Sequence, residues 1–289
     1  MGNKKKARTK PRIHVPCKHV TWPAGIPVSA EPVRRIHTRS RRRNTSLIYS
    51  TLPPGMREAD SQSEVLFLQV AELDPGVACI RAQPCWLRVM EDGSIHRRAP
   101  DFAVMYDGRA ELHEVKQDAE CWKPEVRSEL LAIRDEVERH PRWCYSVSLE
   151  SVLKAEPLRS NTETLWRALR PEEEVDWDLR LRTGDVLDGG PIAAAELIDR
   201  TRRPNAGPGS DGSWSNLLAM VAGRYVHFDV RERLTLDSLV WNLNAGPPRE
   251  RTLPFGSVNA ATTRPVQVRH FEPFCALQIR RLDEQCDLD

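Results

Sequence analysis

The amino-acid sequence predicts an α/β protein in which a mixed sheet is flanked by helices, with a smaller C-terminal domain after it. Amphipathic helical stretches and strand-like stretches follow one another in the order α-β-β-β-α-β, which is typical of a mixed sheet covered by helices. A Pro-bounded acidic run, residues 171–174, then precedes a region rich in Arg, Gly and Pro. We therefore expect a basic flexible arm over residues 1–44, an α/β domain over 45–170 and a C-terminal domain with a tail over 171–289.

Each element of the α/β region has its own signal. Apolar residues repeat at helical spacing over residues 61–74 and 122–139, which predicts two amphipathic helices. Strand-like runs lie between them, and Asp107-Gly108 gives the strongest short hairpin signal in the chain. The predicted strands cover residues 77–90, 95–106, 109–116 and 143–147, and a further helix-like stretch covers 161–169.

Composition narrows the class of protein. The 289 residues are 40% hydrophobic and 29% charged, which is ordinary for a folded, soluble chain. No run of about 18 apolar residues is present to span a bilayer, and the N-terminus lacks an apolar signal segment. Seven cysteines without a CxxC pair favour free thiols over disulfides or a typical zinc site. We expect a cytoplasmic protein.

Charge is distributed unevenly along the chain. Residues 1–43 contain 13 Lys or Arg and one acidic residue, a net charge of +12, which leaves 30 basic and 40 acidic residues, or −10, for the remainder. A mobile basic arm of this kind can follow a phosphate backbone and release counterions, although a solubilising tail has the same composition. The candidate DNA-binding residues of the arm are Lys4, Lys5, Lys6, Arg39, Arg41, Arg42 and Arg43.

The predicted hairpin brings three charged side chains together. With Asp107 and Gly108 as its turn, the pairing places Asp101 directly opposite Glu114, where two like charges are destabilising. Lys116 lies two residues beyond Glu114 and so on the same face of the strand. The neighbours on both faces are apolar, which indicates that the charged group marks one end of a buried sheet.

A divalent cation resolves the conflict between the two carboxylates. Carboxylate oxygens suit Mg²⁺, and Mn²⁺ is expected to substitute for it. The ion polarises a phosphodiester and activates a water, while the Lys116 ammonium orients that water or offsets charge in the transition state. The alternative is a solvated salt-bridge cluster of Asp101, Glu114 and Lys116 on a surface hairpin.

The motif resembles a known nuclease signature. Pro100-Asp101, followed after a hairpin by Glu114-Val115-Lys116, resembles the PD-(D/E)xK signature of restriction-type enzymes. The surroundings over residues 45–170 resemble one branch in particular, the TnsA-type transposon endonucleases. The similarity is carried by Ser63-Glu64, Asp74-Pro75-Gly76-Val77, Gln83-Pro84, Pro100-Asp101-Phe102, Glu114-Val115-Lys116, Pro157-Leu158, Asn161 and Leu165.

This resemblance implies a restriction-endonuclease-like fold and a bacterial enzyme, nucleoid-associated when bound to DNA, that cuts one strand at each transposon end. A DDE transposase of the TnsB type would process the other strand, and an AAA ATPase of the TnsC type would regulate both. It also implies that a helical acid, Glu64, joins the site, so the catalytic set is Glu64, Asp101, Glu114 and Lys116. The metal set is Glu64, Asp101, Glu114 and Val115.

Three neighbouring residues have competing interpretations. Ser61-Gln62-Ser63-Glu64 is also a capping box, in which Glu64 returns a hydrogen bond to the N-cap amide. Gln83 and Gln117 lie close enough in sequence to contact the site, but a structural role explains each of them equally well.

The C-terminal region predicts a helix-loop-helix-strand pattern. An apolar-periodic segment covers residues 192–198, a second helix 214–221 and a strand 225–230, followed by a segment to Trp241. The pattern is compatible with a winged helix, which the TnsA-type resemblance also implies. Such a domain binds DNA or docks a partner protein, and the acidic residues before it favour docking. Residues 249–289 carry no interpretable signal.

Three functions from different classes remain open: a transposon-end endonuclease that works with partners, a self-sufficient nuclease of restriction or repair type, and a non-catalytic DNA-binding adaptor. The presence of Asp101, Glu114 and Lys116 favours the two enzymes over the adaptor.

Overall fold

The structure is a computed structural model that describes residues 20–34, 46–50, 52, 56–91, 93–106, 109–121, 123–169, 175–205, 207 and 209–242. Several predictions fall outside these residues: the linker at 171–174, the tail at 249–289 and the DNA contacts assigned to Lys4, Lys5, Lys6, Arg39, Arg41, Arg42 and Arg43. Within the described ranges, every helix is too short or too polar to span a membrane.

The α/β unit contains eight strands and five helices in its described part. In chain order they are β1 Ser46–Tyr49, β2 Met56–Ala59, α1 Gln62–Leu73, β3 Val77–Ala82, β4 Leu87–Glu91, β5 Ser94–Arg98, β6 Phe102–Tyr106, β7 Arg109–Lys116, α2 Asp118–Cys121, α3 Pro124–Glu138, β8 Trp143–Leu149, α4 Glu150–Leu153 and α5 Leu158–Ala168.

The central sheet is mixed, as predicted. Its strand order is β3-β6-β7-β8; the first two pairs are antiparallel and β7 runs parallel to β8. The connection from β7 to β8 runs through α3, because parallel neighbours need a crossover. Tyr106 pairs with Arg109 and Phe102 with His113. The hairpin register is therefore the one that the Asp107-Gly108 turn predicts.

Two of the predicted strands are each broken in two. The prediction of one strand over residues 77–90 is wrong, because the chain turns at Gln83, whose φ is 46°, and Pro84 follows with no amide to donate. The strand predicted over 95–106 is also broken, between Arg98 and Phe102, where Pro100 has no amide to donate. The inner pieces, β3 and β6, pair within the central sheet, while β4 and β5 form a separate two-stranded ribbon.

The predicted helices form close to their predicted bounds. Helix α1 begins after Ser61, whose side chain accepts a hydrogen bond from the Glu64 amide, and the chain leaves the helix at Asp74. Helix α3 begins at Pro124, a position where proline costs no hydrogen bond, and the preceding turn is a separate short helix, α2. A hairpin of β1 and β2 precedes α1 and was not predicted.

The two faces of the central sheet belong to different hydrophobic clusters. Phe102, Val104, Tyr106 and Val115 lie in one cluster with α1 and α5. The opposite face carries Ala103, Met105, Ala110 and Leu112, which pack with α3, β4 and β8. This division is the one that alternation along the predicted strands requires, and the sequence-based assignment of the faces is confirmed.

Part of the predicted basic arm packs on the α/β unit. In residues 20–34 the Trp22 ring stacks on Trp143 at 5.9 Å between centroids, and Ile26 is buried. The Val33 amide donates to the Gln83 carbonyl at 3.0 Å. Residues 20–34 are therefore part of the folded unit, and the prediction of a free arm applies only to sequence on either side of them.

The C-terminal unit is small and mostly helical. Its elements are α6 Trp177–Leu187, β9 Ile192–Ala193, α7 Ala194–Thr201, α8 Trp214–Ala222 and β10 Leu239–Val240. The strand predicted over residues 225–230 is reduced to a single bridge, between His227 and Trp241, while β9 pairs antiparallel with β10. The predicted helix from residue 192 starts two residues later because Ile192 and Ala193 pair with β10.

Hydrogen bonds and a shared core join the two units. The Arg224 guanidinium donates to the carbonyls of Pro75 and Val77, each at 2.7 Å. The Asn161 side-chain amide donates to the carbonyl of Val230 at 2.8 Å. One hydrophobic cluster includes residues of α1, α5, α7 and α8. The C-terminal unit therefore packs against the α1 side of the sheet.

Candidate active site

The candidate site forms where the β6–β7 hairpin opens. Asp101 is the residue before β6, and continuing the pairing of Phe102 with His113 by one position places it opposite Glu114. Both side chains are buried. The Asp101 carboxylate accepts a hydrogen bond from the Val115 amide at 2.9 Å. This bond fixes Asp101 at the edge of β7, as the predicted juxtaposition requires.

Lys116 pairs with Glu114 on the same strand. The Lys116 ammonium donates to Glu114 Oε1 at 2.7 Å, across the two-residue spacing that places both side chains on one face. The carboxylates of Glu114 and Asp101 raise the pKa of Lys116 above its usual range in spite of its burial. Lys116 is therefore a fixed positive charge at neutral pH.

Asp101 occupies an electrostatically costly position. Burial raises its pKa well above the usual range, and the neighbouring carboxylates of Glu114 and Glu64 raise it further. The Lys116 ammonium and the Val115 amide act in the opposite direction but do not compensate. A buried carboxyl with this pKa is stabilised by a proton or by an added cation.

Glu64 joins this group from the first turn of α1. Its carboxylate accepts hydrogen bonds from the Asp60 amide at 2.8 Å and from the Ser61 hydroxyl at 3.2 Å. The capping box is therefore present, with the difference that Glu64 bonds the amide of Asp60 and not that of the N-cap residue. Burial is the main cause that raises the pKa of Glu64, and the charge of Glu114 contributes. Glu64 thus caps the helix and also lies within the field of the site.

The donor set fits a hard cation in its chemistry. Glu114 Oε2 is buried and has no hydrogen-bond partner among the residues that the structure describes, so one carboxylate oxygen of the site is unsatisfied. A buried acceptor of this kind is costly, and a cation satisfies it. Val115 can contribute only its backbone, because its side chain packs in the core on the other face.

The acids are not arranged as a closed cage. Within the described ranges, no three or more His, Cys, Asp or Glu side chains are grouped so that they could hold a metal ion. Glu64 is engaged at the helix cap and one oxygen of Glu114 is engaged by Lys116. The pair of Asp101 and Glu114, with the oxygen that Glu114 leaves unsatisfied, is therefore the part of the predicted set that fits a cation.

The charged residues open into a cleft of about 710 Å³. One side of it is lined by Asp60 to Glu64 at the start of α1, and Arg97, Arg98 and Trp86 lie on the β4–β5 ribbon side. Gln117 lines the cleft, whereas the Gln83 side chain is fully buried. The backbone amide of Gln83 donates to the Asp101 carbonyl at 2.8 Å. Gln83 therefore positions the Asp101 backbone, and Gln117 is exposed to whatever binds in the cleft.

Four residues at the site escape sequence reasoning. Glu129 of α3 lines the cleft, and its pKa is raised mainly by burial. It lies 3.5 Å from Arg98, which also pairs with Glu91. Tyr145 is buried behind the site, and after burial the charges of Glu114 and Asp101 are the largest causes that raise its pKa. Trp86 also lines the cleft, so the four residues are Glu129, Arg98, Tyr145 and Trp86. Their proximity depends on the parallel pairing of β7 with β8, which has no short-range signal, and on the place where the β4–β5 ribbon packs.

No protein-family model matches the chain, and the search of curated proteins finds no significant match.

Proposed function

We propose that the protein is a magnesium-dependent DNA endonuclease that hydrolyses phosphodiester bonds in the cleft. The observation that carries this proposal is the buried pair of Asp101 and Glu114 beside Lys116, with Glu114 Oε2 unsatisfied, at the floor of a cleft large enough for a nucleic-acid strand. A salt-bridge cluster on the surface would leave neither carboxylate buried, and both are buried.

Each residue of the candidate site has a separate role in the proposed reaction. Asp101 and Glu114 would hold a divalent cation, which would supply Lewis acidity toward the phosphodiester and lower the pKa of an attacking water. The Val115 amide keeps the Asp101 carboxylate oriented toward the cleft. Glu64 adds negative charge from the first turn of α1, and one of its cap bonds would be exchanged for a bond to a water of the site.

Lys116 acts on the phosphate side of the reaction. Its ammonium remains protonated because the neighbouring carboxylates raise its pKa. Beside a cation held by Glu114, the Lys116 ammonium would orient the attacking water or offset the negative charge that grows on the phosphoryl oxygens. Replacement of Lys116 by glutamine would remove that stabilisation and leave both carboxylates in place.

The biological setting that we favour is cleavage at transposon ends with partners. The supporting observation is the resemblance of residues 45–170 to TnsA-type endonucleases, whose motif residues Glu64, Asp101, Glu114 and Lys116 all line the same cleft here. In this setting a DDE transposase of the TnsB type cuts the other strand, and an AAA ATPase of the TnsC type regulates the pair. The sheet flanked by helices is compatible with a restriction-endonuclease-like fold.

The C-terminal unit supports the same setting. Its elements follow in the order α6-β9-α7-α8, after which the chain returns through His227 and β10. A helix, a short strand, two helices and a strand pair are the order expected of a winged helix. We assign it a docking role toward a partner protein, because α6 begins among Asp176, Asp178 and the acidic run before them.

The proposal is tested by nicking of end-labelled transposon-end DNA with Mg²⁺, with and without the transposase and ATPase. Cleavage by the wild-type protein that is lost on chelation of the metal and in Asp101→Asn supports the enzyme. Cleavage of plain DNA without partners would favour the self-sufficient nuclease. Equal cleavage by wild type and Asp101→Asn would exclude this site from the chemistry.

A further inference from the structure

The β4–β5 ribbon projects a cationic and apolar face beside the cleft. Leu87 and Val89 of β4 are buried in the core under α3, so Trp86, Arg88 and Met90, which alternate with them, point outward. All of β5 except Arg98 is exposed. In the described part of the chain, β5 pairs only with β4. The outward face is thus free of cover from the rest of the described chain.

Two arginines lie opposite each other on this face without an acidic partner. Arg88 and Arg97 are a register pair of the ribbon, and like charges directly opposed in this way are destabilising. Neither forms an ion pair with any residue that the structure describes, whereas the adjacent Arg98 pairs with Glu91 and Glu129. The guanidinium of Arg97 lies over the Trp86 ring at 4.6 Å from its centroid. The unpaired charge is therefore held in a defined place.

Large apolar side chains accompany the arginines. Trp86, Met90 and Ile95 are 39%, 57% and 68% exposed. Met90 and Ile95 are also a register pair of the ribbon. Exposed apolar and aromatic groups that surround unpaired arginines are typical of surfaces that bind nucleic acid, where they contact bases and the guanidinium groups contact phosphates or guanine edges.

The same face is continuous with the proposed active site. Trp86 and Arg97 line the cleft that contains Asp101 and Glu114. We propose that the outward face of the β4–β5 ribbon enters the major groove of duplex DNA next to the scissile phosphate, with Arg88 and Arg97 contacting the DNA. The position of the cut relative to the ribbon rests on the proposed nuclease function, whereas the binding of duplex DNA by the ribbon does not.

The geometry favours duplex DNA as the occupant. A two-stranded antiparallel ribbon has the dimensions that the major groove admits. The acidic residues of the cleft floor repel a polyanion, so binding energy for the substrate must come from outside the floor. Arg88 and Arg97 are the unpaired cations of this ribbon, and their guanidinium groups suit guanine O6 and N7 as well as phosphate oxygens.

The test compares the double variant Arg88→Gln/Arg97→Gln with a matched control, Arg139→Gln, in the full-length protein. Arg139 is exposed and pairs with Glu136. It follows the end of α3 that leads into β8, and so it lies away from the cleft. Binding of a fluorescent duplex is measured by anisotropy over a range of salt concentrations, with Ca²⁺ in place of Mg²⁺. Protection of guanine N7 from dimethyl sulfate reports contact in the major groove.

We expect the double variant to bind about tenfold more weakly at low salt, with a salt slope smaller by about 1 to 2, as each lost phosphate contact contributes about 0.9. Guanine N7 protection should be lost in that variant and kept in Arg139→Gln. Equal affinity, slope and protection in the double variant would overturn the proposal, and a partner protein would then be the better occupant.

The two proposals fail separately. If the wild-type protein cleaves DNA while the double variant binds DNA normally, the ribbon proposal fails and the nuclease stands. If the wild-type protein does not cleave under any condition, but the double variant loses binding and N7 protection, the ribbon proposal stands and the nuclease fails. Equal melting temperatures of the three proteins verify that folding is unaffected.

Discussion

Strand β7 buries two carboxylates on opposite faces, and their surroundings differ in one decisive respect. Glu111 lies 3.4 Å from His113, and Glu114 lies 2.7 Å from Lys116, so each acid has a basic residue two positions later. The Glu111 face is closed by α1, whose Phe67 ring packs on the His113 ring at 5.3 Å. The Glu114 face opens into the cleft.

The comparison shows that an acid and a base at strand spacing do not define an active site. The Glu111 pair is enclosed in the core, where it can affect only stability. At Glu114 a second carboxylate, Asp101, adds a repulsion that the chain does not neutralise, and an oxygen of Glu114 is unsatisfied. Access and uncompensated charge distinguish the Glu114 group, which we propose as the cation site, from the enclosed Glu111 pair.

The largest effect is expected at Asp101. Asp101→Asn keeps an oxygen that accepts from the Val115 amide but removes the negative charge, so cleavage should fall by about 10³-fold or more while DNA binding is retained. Nicking rates and duplex affinity, measured on the same preparation, separate the two properties. Nicking at the wild-type rate in the folded variant would remove Asp101 from the mechanism.

The two buried glutamates provide a matched pair. Glu114→Gln should lower cleavage by about 10²- to 10³-fold with no loss of melting temperature, because it removes a charge from a repulsive group. Glu111→Gln should keep its activity per folded molecule and lose about 1–3 kcal/mol of stability, as expected for a buried polar interaction. Activity assays and thermal melts of both variants distinguish the catalytic role of Glu114 from the stabilising role of Glu111. A catalytic loss in Glu111→Gln without a stability loss would reverse the assignment of the two faces.

A smaller effect on cleavage is expected at Glu64. Glu64→Gln preserves an acceptor for the Asp60 amide, so the cap should survive while cleavage falls more than about tenfold if the carboxylate charge matters to the site. Ser61→Ala is the control, because it removes the N-cap acceptor and one hydrogen bond to Glu64 but keeps the carboxylate, at a cost of about 0.5–2 kcal/mol. Unchanged cleavage in Glu64→Gln would leave Glu64 as a cap alone.

The pH dependence of stability should be modest and of unusual sign. The pKa values of Asp101 and Glu64 are raised in the folded protein, so the folded state holds protons that the unfolded chain has already released. Between the ordinary carboxyl pKa and these raised values, the stability of the metal-free protein falls as the pH rises. Mg²⁺ competes with the protons, so its stabilising effect grows with pH.

Melting temperatures across this pH window, with chelator and with Mg²⁺, measure both effects. Asp101→Asn should flatten the metal-free dependence and respond less to Mg²⁺. Parallel curves for wild type and variant would show that Asp101 does not carry the raised pKa.

Local signals predicted the centre of the site well. The Asp107-Gly108 dipeptide predicts the register of β6 and β7, and alternation then assigns the faces of Asp101, Glu114 and Lys116 without any tertiary information. The bounds of β7 follow for the same reason, and most of α1 follows from its helical apolar spacing and the cap at Ser61. The capping box at Ser61 is also a local motif, although the Glu64 carboxylate bonds the amide of Asp60 and not that of Ser61.

Features that depend on contacts distant in sequence were not predictable. The breaks at Gln83 and Pro100 have a local cause in Pro84 and Pro100, which apolar patterning alone overlooks. Only the folded chain shows that the resulting ribbon places Trp86 and Arg97 at the cleft. Glu129 and Tyr145 reach the site because α3 returns the chain to pair β8 beside β7. Residues 20–34 pack on the unit through Trp22 and Ile26 within a segment whose overall charge predicts a free arm.

Binding of Mn²⁺, followed by its paramagnetic resonance signal in the presence of duplex DNA, tests the central claim most directly. Asp101 and Glu114 should form a site that binds Mn²⁺ in wild type and in Glu111→Gln, and that loses its affinity in Asp101→Asn and Glu114→Gln. Mn²⁺ should compete with Mg²⁺ for it. Equal Mn²⁺ binding by all four proteins would contradict the account, because the cation would then be held elsewhere in the chain.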